Sequence, residues 1–321
     1  MRVAVVGAGI NGVAAAHALA RGGDDVTLYE QFRAGHPNGS SHGASRIFRL
    51  AYRDPDWVRL AQEALDAWRN IEAECGETLI ELNGLVELAP PGVESSRAAL
   101  EACGARVEEV TAVPGLTLPA AGSALLQLDA GIVRADLAYR AFLEGALRRG
   151  ASLVEETRVD RLDGLDADAV VVTAGPWVRR LLPDLPVRPT RETVCFFRLD
   201  GPPLPSLVDY DTDRGVCFYA LHDPGGGVKA GLHGAGPTAD PDDGGGPDPE
   251  VVELVRSWVA ARLPSAGPEP ERVETCFYTW TDDERFIVEQ RGPIVVGSAC
   301  SGHAFKFAPI VGERLAALAR G

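Results

Sequence analysis

Hydrophobic positions along the chain fall into short continuous runs broken by glycine, and longer helical stretches lie between them. Arg2–Val6 is a β-branched run with the unbroken apolar character of a buried parallel strand. Gly7-Ala-Gly9-Ile-Asn-Gly12 follows at once. The alanine-rich stretch 13–21 predicts a helix closed by Gly22-Gly23, and 25–30, ending in Glu30, predicts the next strand. This is a complete βαβ unit. Residues 167–175 and 293–299 repeat the design of an apolar strand running into glycine, and the second leads into a helix over 309–319. A helix is also predicted over 137–149, and a strand and turn over 151–162.

Three βα pieces spread along the chain predict an α/β fold with one discontinuous Rossmann-type domain, made of residues 1–80, 135–189 and 281–321. Segments 81–134 and 190–280 are richer in alternating strand patterns. They predict a second, α+β domain built on an antiparallel sheet. Proline and glycine punctuate the chain at 89–92, 201–203 and above all 237–249, which reads as a mobile surface loop.

The glycine motif carries the first chemistry. Gly7 permits the tight turn, Gly9 lets the backbone approach a pyrophosphate, and Gly12 lets helix and strand pack closely. The helix N-terminus offers unsatisfied N–H groups to a diphosphate, and Glu30, 18 residues beyond Gly12, can accept from ribose hydroxyls. A tight turn without a ligand is the plainer alternative, and the placement of Glu30 argues against it. Residues 3–20 carry no formal charge and so resemble a cleavable signal, but Gly7, Gly9, Asn11 and Gly12 break that stretch at its centre.

Composition narrows the classes further. The 321 residues are 45% hydrophobic and 24% charged, which excludes disordered and collagen-like chains and leaves room for two cores. The formal charge is 31 − 46 = −15, so nucleic acid and anionic membranes are disfavoured as partners. Six cysteines show no CxxC pair and no zinc spacing; reduced thiols in a cytoplasmic protein are expected.

Of the 31 basic residues only Lys229 and Lys306 are lysine. Arginine serves well as a generic surface charge, so a lysine that survives such a bias can be needed for its compact ammonium or tunable pKa. Both stand in apolar, glycine-rich settings, GVKAGLH and SGHAFKF, although two chance surface survivors remain the alternative. In a strand through 229–233, Lys229 and His233 share one face past Gly231. The run Asn38-Gly-Ser-Ser-His42-Gly43-Ala-Ser45-Arg46-Ile-Phe-Arg49 is polar and suited to wrapping a cofactor. Its two arginines are spaced to share a helix face. Cys276, in Glu-Thr-Cys276-Phe-Tyr278-Thr, would on chemistry alone be an inert buried thiol.

Taken in order, the dinucleotide motif, NGSSHGASRIFR, TAGPW, VKAGLH, TCFYT and SGHAFKF resemble the monomeric sarcosine oxidase and N-methyltryptophan oxidase family, flavoproteins of the D-amino acid oxidase superfamily. The resemblance covers the whole chain. It implies FAD joined through its 8α-methyl to the sulfur of Cys276. It implies that Arg49 and Lys306 hold a substrate carboxylate, that Tyr278, Tyr219 and His233 line the substrate cavity, and that His42 and Arg46 lie beside the flavin. Gly43, Ser45, Gly175 and Gly302 fall in the matching cofactor motifs. Lys229 matches a lysine that promotes reaction with dioxygen.

The implied enzyme is a monomeric oxidase of a secondary amine bearing a carboxylate, with an amino acid and dioxygen as its partners and an imine and hydrogen peroxide as products. The rival reading is a flavin-dependent dehydrogenase that uses another acceptor. Ala299, Cys300, Ala304 and Trp280 depart from the family pattern near the expected cavity, so a reshaped pocket is expected and the identity of the amine stays open.

Overall fold

The structure, a computed structural model, describes all residues except 89–92, 120–123, 212–214 and 299, together with the side chain of Val93. The punctuation at 89–92 and the departure at Ala299 therefore lie outside the described residues.

The predicted apolar runs assemble into one six-stranded sheet. In order across it lie Ile287–Arg291, Ile294–Ser298, Ala169–Val172, Arg2–Val6, Asp25–Tyr29 and Ser152–Val154. All neighbours pair in parallel except the first two strands. Val3, Val5, Val171 and Val172 are almost wholly inaccessible, as strands covered on both faces must be. Helices Ile10–Arg21, Ala135–Arg148 and Ala308–Arg320 bury their apolar residues in the larger of the two cores flanking this sheet. The first helix begins at Ile10, three residues earlier than expected, because the last glycine of the motif lies inside its first turn.

Gly12 is where the unit closes. A Cβ there would stand 1.9 Å from the Gly7 carbonyl oxygen and 2.7 Å from Thr173 Oγ1, so no side chain fits. Gly7 has φ +100° and its Cβ would meet the Thr173 carbonyl. Glycine is required at both positions.

The second sheet has eight strands, in the order Arg272–Trp280, Arg188–Phe197, Val228–Leu232, Val216–His222, Ser206–Asp211, Leu85–Leu88, Ala124–Gln127 and Val107–Val110. It is antiparallel throughout except between Ser206–Asp211 and Leu85–Leu88. One face carries Cys195, Phe197, Phe218, Ala220, Ala230 and Leu232 against Val251, Val255 and Trp258 of helix Pro249–Arg262. Successive residues of a strand point to opposite faces, so Lys229, Tyr219 and Leu221 are turned the other way. Strand Gly131–Arg134 departs from the expected grouping: it pairs with Ser45–Phe48 and Ile80–Glu81 in a small third sheet.

Segment 237–249 is irregular, as expected, but it is tied down. Asp242 accepts from Trp177 Nε1 at 2.6 Å, Arg180 pairs with Asp240 and Asp242, and Arg191 donates to backbone carbonyls of the loop. No helix among the described residues is long and apolar enough to cross a membrane.

Gly12→Ala is expected to lower stability by about 1 to 3 kcal/mol through overpacking against Gly7 and Thr173. Gly164→Ala, with nothing within 4 Å of its added Cβ, should leave it nearly unchanged. Urea unfolding of both variants against the parent chain measures the difference.

Candidate active site

A cavity of about 700 Å³ runs from the glycine turn of the parallel sheet to the free face of the antiparallel one. At its first end lie Gly7, Gly9, Glu30 and Gly175. Glu30 is buried, and its carboxylate accepts from the Ala8 and Phe32 amides at 2.9 and 3.0 Å, with His36 Nε2 at 3.3 Å. Burial alone would raise its pKa, but these hydrogen bonds outweigh it and hold the group below its ordinary value. Tyr139 donates to the Ala8 carbonyl and accepts from Gly35, while Ser41 Oγ accepts from the Ile10 amide at the helix start.

A second group of wall residues comes from the free face of the antiparallel sheet. Val194, Val208, Tyr219, Leu221, Lys229, His233, Cys276 and Tyr278 all line the cavity. Gly231, directly opposite Tyr219, leaves room for that ring: a Cβ there would fall 2.5 Å from the tyrosine hydroxyl. Gly302, at φ +72°, similarly clears Tyr278 and His233.

Lys229 is buried, and its Nζ donates to the Ser45 carbonyl at 3.4 Å. Burial, then the Arg46 charge, lowers its pKa to about 7. Lys306 is 3% exposed and donates to the Tyr52 hydroxyl at 3.0 Å and the His303 carbonyl at 2.9 Å. Burial and then Arg49 push its pKa well below the usual lysine value. Arg49 lies 5.0 Å from the centre of the Tyr52 ring. Among the described residues, none of these three cations makes an ion pair. Cys276 is raised by burial, against which the charges of Lys229 and Arg46 act.

Four expected cofactor residues do not reach the wall. Gly12 is packed behind the turn, and His42, Gly43 and Ser45 lie behind the segment that Arg46 organises. Arg46 itself is on the wall, its guanidinium donating to the carbonyls of Ser40, His42 and Ser45 at 2.6–2.8 Å. Residues 45–48 form a strand, so Arg46 and Arg49 do not share a helix face as their spacing suggested. Cys300 and Ala304 line the cavity, whereas Trp280 does not. Its indole donates to Thr190 and its ring packs against His233 and Tyr278 from outside.

Sequence reasoning missed Tyr52, His36, Ser41 and Tyr139. Tyr52 and Ser41 stand in or next to a motif already singled out, whereas Tyr139 sits in a helix with no local signal.

The FAD dependent oxidoreductase family matches the chain over residues 2–318. The protein belongs to that family. It is 32% identical over 358 residues to the monomeric sarcosine oxidase of Bacillus sp. (strain B-0618), an alignment covering 99% of this chain and 91% of the relative. The N-methyl-L-tryptophan oxidase of Yersinia pestis (strain Pestoides F) is 28% identical over 350 residues, or 98% of this chain and 94% of that one. Among solved structures, the open form of NikD, an unusual amino acid oxidase essential for nikkomycin biosynthesis, superposes with a TM-score of 0.89. That match is at 27% identity and covers 99% of this chain and 93% of NikD.

The site fits the cofactor that the family name states. Gly7 and Gly12 leave no space for side chains at the turn, Glu30 is held as a carboxylate, and Asn11 Oδ1 near the helix start is buried without a partner.

Burial lowers the pKa of His42 and His233 to about 4 and of His303 to about 3. An unfolded histidine binds its proton near 6.5, so between about 6.5 and 4 the unfolded chain carries protons that the folded one lacks. Stability from these residues is therefore complete above about 6.5 and falls as the pH drops towards 4, by at most about 1.4 kcal/mol per pH unit for each. Melting temperatures across this range should show the decline, and His42→Asn should make it shallower.

Proposed function

We propose that this FAD dependent oxidoreductase oxidises a secondary amine bearing a carboxylate, such as an N-methyl or cyclic amino acid, to an imine, with dioxygen as electron acceptor and hydrogen peroxide as product. The observation that carries this is the pair Arg49, half-buried, and Lys306, buried, in the cavity wall with no ion pair among the described residues. Cations so placed need an anion, and a carboxylate can meet both, through the planar fork of one and the point charge of the other.

Bound FAD supplies the acceptor for the hydride equivalent leaving the carbon next to nitrogen. The Gly7–Gly9 turn and the first helix would hold its diphosphate, Glu30 its ribose, and Cys276 its ring through a thioether. Tyr219, Tyr278 and His233 shape the space beside the clamp and exclude water from it. Lys229 places a fixed cation on the same wall, suited to stabilising negative charge that develops on dioxygen. A dehydrogenase with another acceptor would have no use for that charge. The two large sheets support assigning residues 1–80, 135–189 and 281–321 to the FAD and 81–134 and 190–280 to the substrate, with strand Gly131–Arg134 at the seam. We further assign the enzyme to the cytoplasm, as a monomer.

Purified enzyme should release peroxide from N-methyl or cyclic amino acids and far less from their methyl esters. Lys229→Met should slow reoxidation of the reduced enzyme by oxygen far more than its anaerobic reduction by substrate. Equal slowing of both would remove the oxidase argument.

Cys276 carries a separate expectation. After acid precipitation the pellet should stay yellow with a mass one FAD above the chain, and Cys276→Ser should release the colour to the supernatant. Free flavin from the parent protein would end the thioether assignment while leaving the reaction intact.

A further inference from the structure

Lysine has three N–H donors and no acceptor, on a flexible four-carbon stem. Such a group cannot aim at a ligand unless neighbours restrict it. At Lys306 two of the three donors are taken, by the Tyr52 hydroxyl and the His303 carbonyl, and an ammonium with two fixed N–H directions has its third fixed as well. That third donor is the one left for a ligand on the cavity wall.

The donor inventory then orients every proton behind it. Tyr52 must accept from Lys306, so its own O–H turns to another acceptor, and His303 Nδ1 stands 3.0 Å away. Nδ1 is therefore the bare nitrogen and Nε2 carries the hydrogen. Nε2 lies 3.0 Å from the Glu284 carbonyl, the acceptor this tautomer needs. Glu284 adopts φ +59°, a conformation costly for a residue with a side chain and of the kind found where function holds it in place. An aromatic cage locks the two rings: Trp57 stacks on Tyr52 at 5.5 Å, and Trp57 and Phe286 lie 5.1 and 4.8 Å from His303.

We propose that Tyr52 and His303 are positioning residues for substrate, a relay that aims the Lys306 ammonium at the carboxylate, with the Glu284 carbonyl as its anchor. The inference rests on the carboxylate reading above. It makes Tyr52 more than packing: its hydroxyl sets affinity for the acid group, and its ring can be kept while that function is removed.

The test uses the flavin-loaded enzyme and methoxyacetate, which copies an N-methyl amino acid with an ether oxygen in place of the nitrogen and so cannot be oxidised as an amine. Its Kd is read from the flavin absorbance or by calorimetry, beside KM and kcat for an N-methyl amino acid. Tyr52→Phe should raise Kd and KM by about tenfold or more, the loss expected for one hydrogen bond to a charged group. Its kcat should stay within about threefold of the parent value, a split that general loosening of the fold would not give. His303→Asn keeps an acceptor where Nδ1 was and should stay within about threefold in Kd. His303→Gln keeps a donor for Glu284 but no acceptor for Tyr52, and should shift towards the Tyr52→Phe value; this pair decides the matter if Tyr52→Phe does not fold. The proposal is overturned if Tyr52→Phe and His303→Gln both bind methoxyacetate as tightly as the parent while Lys306→Met does not. If Lys306→Met also binds it normally, Lys306 holds no carboxylate, and the clamp and the relay fall together.

Discussion

Two buried lysines, Lys229 and Lys306, and the half-buried Arg49 share the wall of one cavity without an ion pair among the described residues, and the surrounding fold has to make that tolerable. An uncompensated buried charge is among the costliest features a protein can hold. Here the compensation is uncharged. Carbonyls and a hydroxyl accept from Lys229 and Lys306, and the rings of Tyr52, Phe307 and Phe196 present their faces to the cations. Glu87, a buried carboxyl whose charge would favour that of Arg49, has its own pKa raised by burial and accepts from Gln127. This part of the wall therefore offers positive charge to a bound anion.

The antiparallel sheet allows this because a strand sends its side chains to two unlike places in strict alternation. Around Lys229, residues 228, 230 and 232 enter the core beneath helix Pro249–Arg262, while 229 and 233 reach the cavity and 231 contributes only the absence of a side chain. A shift of register by one residue would drive the lysine into a dry apolar core. The packing of Val251, Val255 and Trp258, remote from any ligand, is thus what fixes the charge at the site.

The βαβ unit, the later strand-to-glycine segments and the terminal helix were legible because each is written in a local pattern of apolar residues and glycine. Lys229, Lys306 and Arg49 were legible partly through composition and chiefly through motif resemblance. What could not be read was lateral. Gly131–Arg134 looks like any other strand, and only its partners Ser45–Phe48 and Ile80–Glu81 remove it from the large sheet. Trp280 lies two residues from Tyr278 on the same strand, yet its hydrogen bond to Thr190 holds it outside the wall. Tyr52 and His303 are 251 positions apart, and no local pattern could show that they meet.

The contrast between Arg46 and the two lysines explains why a chain with 29 arginines keeps lysine at just these places. A guanidinium has five N–H donors in a rigid plane, and when buried it demands acceptors for most of them. Arg46 shows the consequence: it consumes the carbonyls of Ser40, His42 and Ser45, and so becomes the frame of its own loop. Lys306 needs only two acceptors to be held and has one donor to spare, and Lys229 is held by a single carbonyl. Where a loop must be built, arginine is suited to the place. Where a compact point charge must stay available beside the fork that Arg49 presents, a group with fewer obligations is suited, and in this chain that group is lysine.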